Sequence, residues 1–172
     1  MAKLKLFIFG LDRAGKSVIT NFLKTGSINE DTRPTVAFNV GFVEMENLKF
    51  EVYDTPGQKR FRSFWLREVN KSDVLIFVLD VSDPLRFEES KEEFKRLIVD
   101  LKKREVPLLF LFHKMDVDGS KENIGKAKEI FNLDSLYIFK LETMETTIKD
   151  LISMKKMRLR VAQIINEKMM KS

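Results

Sequence analysis

An eight-residue, glycine-containing motif near the start of the chain constrains the fold more than any other feature. It matches the pattern GxxxxGK(S/T) and reads Gly10-Leu11-Asp12-Arg13-Ala14-Gly15-Lys16-Ser17. An apolar run at 4–9 precedes it, and apolar residues at helical spacing follow it. Such a strand, loop and helix wrap a phosphate with backbone N–H groups at the helix N-terminus. In this context Lys16 is predicted to reach the β- and γ-phosphates, and Ser17 to bind magnesium.

Apolar runs and helix-spaced apolar residues alternate along the rest of the chain. Further strands are predicted at 38–45, 48–53, 74–79, 108–112 and 136–141, with a hairpin turn at 46–47. A long helix is predicted from about residue 146 to near the end of the chain. This order predicts an α/β fold of the P-loop NTPase type, with a mostly parallel six-stranded sheet and helices on both faces. We expect residues 1–172 to form one domain.

The composition excludes several kinds of chemistry. The chain has no cysteine and one histidine, which excludes disulfides, a cysteine nucleophile and a Cys/His zinc site. Any metal would be held by oxygen ligands, as magnesium and calcium prefer. The net charge of +5 is mild, so a nucleic-acid partner is not expected. No run approaches roughly 18 apolar residues, so no transmembrane segment is expected, and a cytoplasmic location is favoured because no signal peptide is apparent.

A second motif, Asp54-Thr55-Pro56-Gly57-Gln58, follows the strand at 48–53. Ligands of such sheets bind beyond the carboxyl ends of the strands. Asp54 can reach magnesium through a water, and the Gly57 N–H can touch a γ-phosphate. Gln58 is placed to orient an attacking water. Taken alone, this motif would also fit an ordinary turn.

A third motif, His113-Lys114-Met115-Asp116, follows the strand at 108–112. The Asp116 carboxylate can accept hydrogen bonds from both N1–H and the 2-amino group of guanine, which adenine does not offer. The stem of Lys114 can lie along the ring of the base. We interpret His113 as a brace between loops rather than a catalytic residue. The predicted ligand is therefore GTP or GDP.

These three motifs, in this order, resemble those of the Ras-superfamily small GTPases over essentially the whole chain, and most closely those of the Arf family. The resemblance is carried by Asp12 in the phosphate loop, by Pro34-Thr35-Val36-Ala37-Phe38-Asn39-Val40, which is similar to Arf switch I, and by Arg62-Ser63-Phe64-Trp65, which is similar to the segment after the switch II glutamine. It implies a G domain that binds GTP/GDP and Mg2+. It also implies that Thr35 binds magnesium and senses the γ-phosphate, and that Gln58 positions the hydrolytic water.

The predicted site residues form three overlapping groups. The predicted catalytic residues are Lys16, Thr35 and Gln58. The predicted metal ligands are Ser17, Thr35 and, through a water, Asp54. The predicted nucleotide-binding residues are Asp12, Arg13, Ala14, Gly15, Lys16, Ser17, Val18, Thr35, Gly57, His113, Lys114, Asp116, Glu142 and Thr143.

Four features depart from the Arf pattern. The sequence starts directly at its first strand, where Arf proteins carry an amphipathic and usually myristoylated helix, so the family's membrane mechanism is not carried over. His113 stands where most small GTPases have asparagine, and resembles the motif of the Rag/Gtr GTPases. Leu141-Glu142-Thr143 replaces the usual Ser-Ala-Lys-type guanine contact. Pro56 stands where Arf has glycine, and proline has no N–H to donate.

The favoured function is a switch that slowly hydrolyses GTP. An exchange factor, a GTPase-activating protein and effectors would act through switch I and switch II. The alternative is a nucleotide-locked interaction subunit that binds guanine nucleotide and barely turns over. A P-loop small-molecule kinase is a third class, which Asp116 argues against. Arg33 is either an internal arginine finger or a solvated switch residue, and we favour the solvated residue.

Two apolar groups have alternative interpretations. Phe38, Tyr53 and Trp65 either form an effector surface, as the resemblance implies, or pack in the core. The C-terminal helix carries one apolar stripe, formed by Met154, Met157, Val161, Ile164 and Ile165, beside a net basic one. We favour packing on the sheet over contact with anionic lipid, because one stripe cannot serve both core and bilayer. Peripheral membrane contact, direct or through a partner, stays open as an alternative.

Overall fold

The computed structural model describes residues 4–31, 37–45, 47–99, 101, 104–136, 138 and 140–171. Within these residues the strands are β1 Lys5–Phe9, β2 Asn39–Met45, β3 Leu48–Asp54, β4 Val74–Asp80, β5 Pro107–His113 and β6 Lys140–Thr146. The α-helices are α1 Lys16–Thr25, α2 Trp65–Lys71, α3 Phe87–Ile98, α4 Ser120–Phe131 and α5 Leu151–Met170.

The strands form one six-stranded sheet in the order β2-β3-β1-β4-β5-β6. β2 and β3 are antiparallel, and every other neighbouring pair is parallel. The predicted fold class is confirmed. Because the parallel strands point the same way, the loops after β1, β3, β4, β5 and β6 meet at one edge of the sheet. The three sequence motifs follow β1, β3 and β5, so this edge is where a ligand site is expected.

Apolar side chains fill both faces of the sheet, and β1 shows why. Leu6 and Ile8 point into one cluster with α1 and α5, whereas Phe7 and Phe9 point into a second cluster with α2, α3 and α4. A strand buried on both faces needs apolar residues at every position, which explains the continuous apolar runs of β1, β4 and β5. The sheet is therefore a rigid support for the loops at its edge.

Helix α5 packs against the sheet through its apolar stripe. All five predicted stripe residues are buried: Met154, Met157, Val161, Ile164 and Ile165. The prediction that this stripe belongs to the core is confirmed. None of the described helices combines the length and the apolar composition needed to cross a membrane.

The predicted last strand at 136–141 is wrong, because the strand is Lys140–Thr146. Leu136 and Ile138 pack against the second apolar cluster from the connection before β6, so they are apolar without being in a strand. β6 lies at the sheet edge and is mostly half-buried or exposed, so its sequence is not a continuous apolar run. Helix α5 consequently begins at Leu151 rather than near residue 146. Its N-terminus is capped by Asp150, whose carboxylate accepts a hydrogen bond from the Ile152 N–H at 2.9 Å.

Candidate nucleotide site

The phosphate loop joins β1 to α1 in the predicted position. Gly15, directly before α1, has φ 100°, a left-handed conformation that favours glycine. A β-carbon at Gly15 would also lie 2.5 Å from Cδ2 of His113. Glycine is therefore required here both by the backbone and by the close approach of the imidazole ring.

Lys16 is a buried cation at the first position of α1. Its side chain is 6% exposed, and Nζ donates a hydrogen bond to the Leu11 carbonyl at 2.7 Å. Burial lowers the pKa of Lys16 from 10.5 to about 8, while the nearby charges of Asp54 and Asp12 act in the opposite direction. The ammonium remains mostly protonated at pH 7. It can therefore supply a buried positive charge to a phosphate.

Ser17 and Asp54 place two oxygen atoms side by side. The Ser17 hydroxyl donates to the Asp54 carboxylate at 2.9 Å, and Asp54 is buried at the end of β3. Hard oxygen donors of this kind fit magnesium. In the part of the chain that the structure describes, no group of three His, Cys, Asp or Glu side chains could hold a metal. A magnesium ion would therefore use this pair together with phosphate and water oxygens, as is usual for the ion.

The segment after β3 lies against the phosphate loop. Thr55 is buried, and its hydroxyl donates to the Ile8 carbonyl at 3.0 Å. A β-carbon at Gly57 would lie 2.2 Å from the backbone nitrogen of Asp12 and 2.5 Å from Nζ of Lys16. Only glycine allows this approach. Gln58, the next residue, is half-buried.

His113 braces the phosphate loop against the end of β6. Its ring is 2% exposed, and its Nδ1 lies 2.8 Å from the Thr146 hydroxyl. Burial, with the charge of Lys114, lowers the pKa of His113 from 6.5 to about 4. The imidazole is therefore neutral at pH 7. Packed between Gly15 and Thr146, it fits the structural role expected of it.

Lys114 and Asp116 tie the third motif to its surroundings. Nζ of Lys114 donates to the Arg13 carbonyl at 2.7 Å and to the Asp80 carboxylate at 2.5 Å. The hydroxyl of Thr147 donates to the Asp116 carboxylate. The motif is thus linked to the phosphate loop on one side and to the loop after β6 on the other, with Asp116 itself exposed.

The structure does not bring Glu142 and Thr143 to this site. Both lie in the middle of β6, paired with the middle of β5. Glu142 is bound by Arg160 of α5 through two contacts of 2.6 Å. Thr146 and Thr147, at the end of the strand, contact the third motif instead. Sequence reasoning missed them because it placed the strand too early.

Arg33 and Thr35 lie outside the described residues, and so do Pro34 and Val36 of the segment that resembles switch I, whereas its residues 37–40 are described. The remaining predicted residues of the phosphate loop and α1 lie where the motif places them. Ala14 and Val18 are buried, Asp12 is half-buried and Arg13 is exposed. Hydrogen bonding and the charge of Arg86 hold the pKa of Asp12 below its usual value, although burial alone would raise it.

The predicted effector aromatics separate into two environments. Trp65 is fully buried, and its ring centroid lies 6.1 Å from that of Phe9. Its indole N–H donates to the Pro56 carbonyl at 3.2 Å. The interpretation of Trp65 as a surface residue is therefore wrong for this structure, because its ring completes the second cluster. Phe38 and Tyr53 are half-buried.

Comparison with known proteins gives consistent matches. The sequence model of the ADP-ribosylation factor family matches residues 1–167. The chain is 35% identical over 156 residues to ADP-ribosylation factor-like protein alp41 of Schizosaccharomyces pombe, covering 88% of this chain and 83% of that protein. It is 36% identical over 137 residues to ADP-ribosylation factor-like protein 6 of Danio rerio, covering 78% of this chain and 73% of that protein.

A solved structure of similar shape is the Arl6 BBS3 small GTPase of Trypanosoma brucei with the bound nucleotide analogue GppNp. It superimposes with a TM-score of 0.78 at 30% identity, and the match covers 94% of this chain and 98% of that one.

Proposed function

Because the chain belongs to the ADP-ribosylation factor family of small GTPases, we propose that it is a molecular switch that binds GTP and GDP with magnesium and slowly hydrolyses GTP. The observation that carries the proposal is the convergence of three motifs at one sheet edge. Lys16, the Ser17–Asp54 pair and the motif ending at Asp116 follow three different strands. Their chemistry matches the phosphates, the metal and the base of one ligand.

The nucleotide would bind across these loops. Backbone N–H groups of 12–18 and the ammonium of Lys16 would hold the phosphates. The Asp116 carboxylate would accept N1–H and the 2-amino group of guanine, and the stem of Lys114 would lie along the ring. His113, through which this motif resembles that of the Rag/Gtr GTPases, would hold the two loops in register. A backbone N–H of the loop after β6 would instead make the contact to guanine that Glu142 and Thr143 were predicted to make, because these two residues lie in the middle of the strand.

Hydrolysis would depend on positioning. Magnesium, when bound, would neutralise charge on the β- and γ-oxygens. Gln58 would orient a water for attack on the γ-phosphorus, so that the bond to the β-phosphate oxygen breaks and GDP and phosphate form. Thr35 would bind magnesium and sense the γ-phosphate. Such reactions are slow until an arginine reaches the transferred group, and that arginine commonly comes from a partner protein.

Switching would follow from the γ-phosphate contacts. Loss of this group removes a ligand from Gly57 and Thr35, so the segments around them relax and partners can distinguish the two states. An exchange factor, a GTPase-activating protein and effectors would read switch I and switch II. We place the protein in the cytoplasm, with recruitment to a membrane requiring a partner.

A nucleotide-locked subunit is the second candidate function, and Pro56 favours it. Proline has no N–H to offer a phosphate, and its carbonyl is held by the buried Trp65 at 3.2 Å. A switch segment held in this way would resist movement. Such a protein would bind guanine nucleotide without appreciable turnover.

The first test is to denature the freshly purified protein and identify the released nucleotide by chromatography. GDP or GTP near one per chain is the expected result, followed by single-turnover hydrolysis of loaded GTP. Retained GTP without hydrolysis would support the locked subunit. A protein that releases no nucleotide and also fails to bind GTP with magnesium would contradict both functions.

Asp116→Asn tests the assignment of the base. Loss of two charge-assisted hydrogen bonds should weaken GDP binding about 100-fold, while xanthosine diphosphate gains affinity. The exposed neighbour Asp118 supplies the matched control, since Asp118→Asn should change the affinity for neither GDP nor xanthosine diphosphate. A variant at Asp116 that still prefers GDP would show that another residue reads the base.

A further inference from the structure

Arg62 is a buried cation in the 3-10 segment Lys59–Phe64 that leads into α2. It is 3% exposed, and its guanidinium lies near three carboxylates. Nη1 is 2.8 Å from Glu89 and 3.6 Å from Glu93, and Nη2 is 3.6 Å from Asp12. A buried charge is tolerated only with such partners, so these contacts fix the position of the guanidinium.

The same guanidinium holds Gly57. Its Nε donates to the Gly57 carbonyl at 3.0 Å, on a different edge from the two nitrogens that face the carboxylates. Gly57 is the residue whose β-carbon position lies 2.5 Å from Nζ of Lys16. Arg62 therefore keeps Gly57 beside the lysine that is expected to meet the γ-phosphate.

Helix α3 provides the fixed end of this tether. Glu89 and Glu93 are four residues apart, so they share one helix face. Arg86 donates to Glu89 at 2.9 Å and to Asp12 at 2.9 Å. The hydrogen bonds from Arg86 hold the pKa of Glu89 below its usual value, so the Glu89 carboxylate is ionised at neutral pH. Arg62 is thus anchored to a charged group on a rigid helix.

We propose that Arg62 is a positioning residue that makes the site prefer GTP to GDP. It does so by holding Gly57 where the backbone N–H of that residue meets the γ-phosphate. The inference rests on the proposed function, in which Gly57 contacts this group. GDP lacks the γ-phosphate, so its binding gains nothing from the position of Gly57. Removing the tether should therefore weaken the triphosphate selectively.

Arg62→Lys separates this role from a purely structural one. A lysine ammonium can still pair with Glu89, but it cannot also reach the Gly57 carbonyl in the way a planar guanidinium does. We would measure the Kd of GDP and of the analogue GppNp, each with magnesium. The ratio of the GppNp Kd to the GDP Kd should rise about tenfold, while GDP affinity is retained. Arg67→Ala, at an exposed arginine of α2, should leave the ratio unchanged.

Glu89→Gln loosens the same tether at α3 and should raise the ratio by a smaller factor. Thermal melting of the GDP-bound variants shows whether each one is folded. If Arg62→Lys is not folded, the Kd ratio of Glu89→Gln tests the inference in its place. Equal weakening of GDP and GppNp would reduce Arg62 to a support of the fold and overturn the inference. An unchanged ratio would overturn it as well. Failure of the wild-type protein to bind either nucleotide would instead overturn the proposed function.

Discussion

His113 is a neutral imidazole held between two loops of the site. Its ring packs against Gly15 on the phosphate loop, and Nδ1 lies 2.8 Å from the Thr146 hydroxyl at the end of β6. A charged ring in this place would lose its hydration and lie near the Lys114 ammonium, and the charges of Asp80 and Asp116 offset this only in part. His113 therefore contributes its packing against Gly15 and one hydrogen bond. Protonation of its ring should disturb the phosphate loop and the end of β6 together.

Lowering the pH should destabilise the protein through His113. Its pKa of about 4 lies below the ordinary 6.5, so the unfolded chain takes up a proton before the folded one does. The stability is present above pH 6.5 and is lost as the pH falls toward 4. Between pH 7 and pH 5 this loss should be about 2 kcal/mol.

The measurement is urea denaturation of the wild-type protein and of His113→Asn at pH 7, 6 and 5. The asparagine variant cannot titrate, so its stability should fall less over this range, by roughly the same 2 kcal/mol. Carboxylates titrate in both proteins and cancel in the difference. Parallel curves would mean that His113 is not held neutral by the fold.

At the level of the element, β6 carries the main difference between prediction and structure. The strand lies last in the order of the sheet, beside β5, and most of its side chains are half-buried or exposed. Its alternation of half-buried and exposed side chains has the period of a strand, but apolar residues are few. Its position decides that Glu142 faces Arg160 and that Thr147 faces Asp116.

Paired substitutions on β6 and its loop test that placement. Thr147→Val removes the hydroxyl that donates to Asp116 and should weaken GDP binding about tenfold. Glu142→Gln should leave GDP affinity unchanged and cost less than about 1 kcal/mol of stability, because its ion pair is partly solvated. Isothermal titration of both variants with GDP compares their affinities. A larger effect at Glu142 would restore the original prediction.

Helix α5 offers a matched pair within one element. Met157 is 0% exposed and Leu159 is 48% exposed. Met157→Ala should lower the free energy of unfolding by roughly 2–5 kcal/mol, because it leaves a cavity against the sheet. Leu159→Ala should change it by about 0.5 kcal/mol or less. Urea denaturation measures both, and equal effects would contradict the packing of this stripe.

In the molecule as a whole, the candidate site is assembled from loops far apart in the chain. The phosphate loop, the segment after β3 and the loops after β5 and β6 meet only because their strands lie in one sheet. A nucleotide that contacts all of them would bridge residues as far as 100 positions apart, such as Lys16 and Asp116. Ligand binding should therefore stabilise the fold globally.

Addition of GDP and magnesium should raise the melting temperature. At a ligand concentration of about 100 times Kd the gain is about 2.7 kcal/mol, or roughly 5–10 °C for a chain of this size. Differential scanning fluorimetry measures the shift, and chelation of magnesium with EDTA should reduce it. ADP at the same concentration is the control and should have little effect. An equal shift with ADP would contradict guanine selectivity.

Much of the fold and half of the site could be predicted from local sequence. The phosphate loop, the Asp54 motif and the Asp116 motif each lie at the carboxyl end of a strand, and fixed spacing over a few residues was enough to identify them. The buried strands β1, β4 and β5 were equally easy to predict, because a strand buried on both faces requires a continuous apolar run. The roles assigned to Thr35 and Arg33 remain predictions.

Tertiary contacts decided the rest. Trp65 reads as an exposed switch residue in a short sequence window, but the sheet behind it provides a buried pocket. Arg62 belongs to a segment that resembles a switch II sequence, but nothing in that segment predicts its burial, because its carboxylate partners lie on α3 and in the phosphate loop. The end of β6 depends on its register with β5. Spacing along the chain specifies contacts within an element, whereas contacts between elements depend on how the sheet and helices pack.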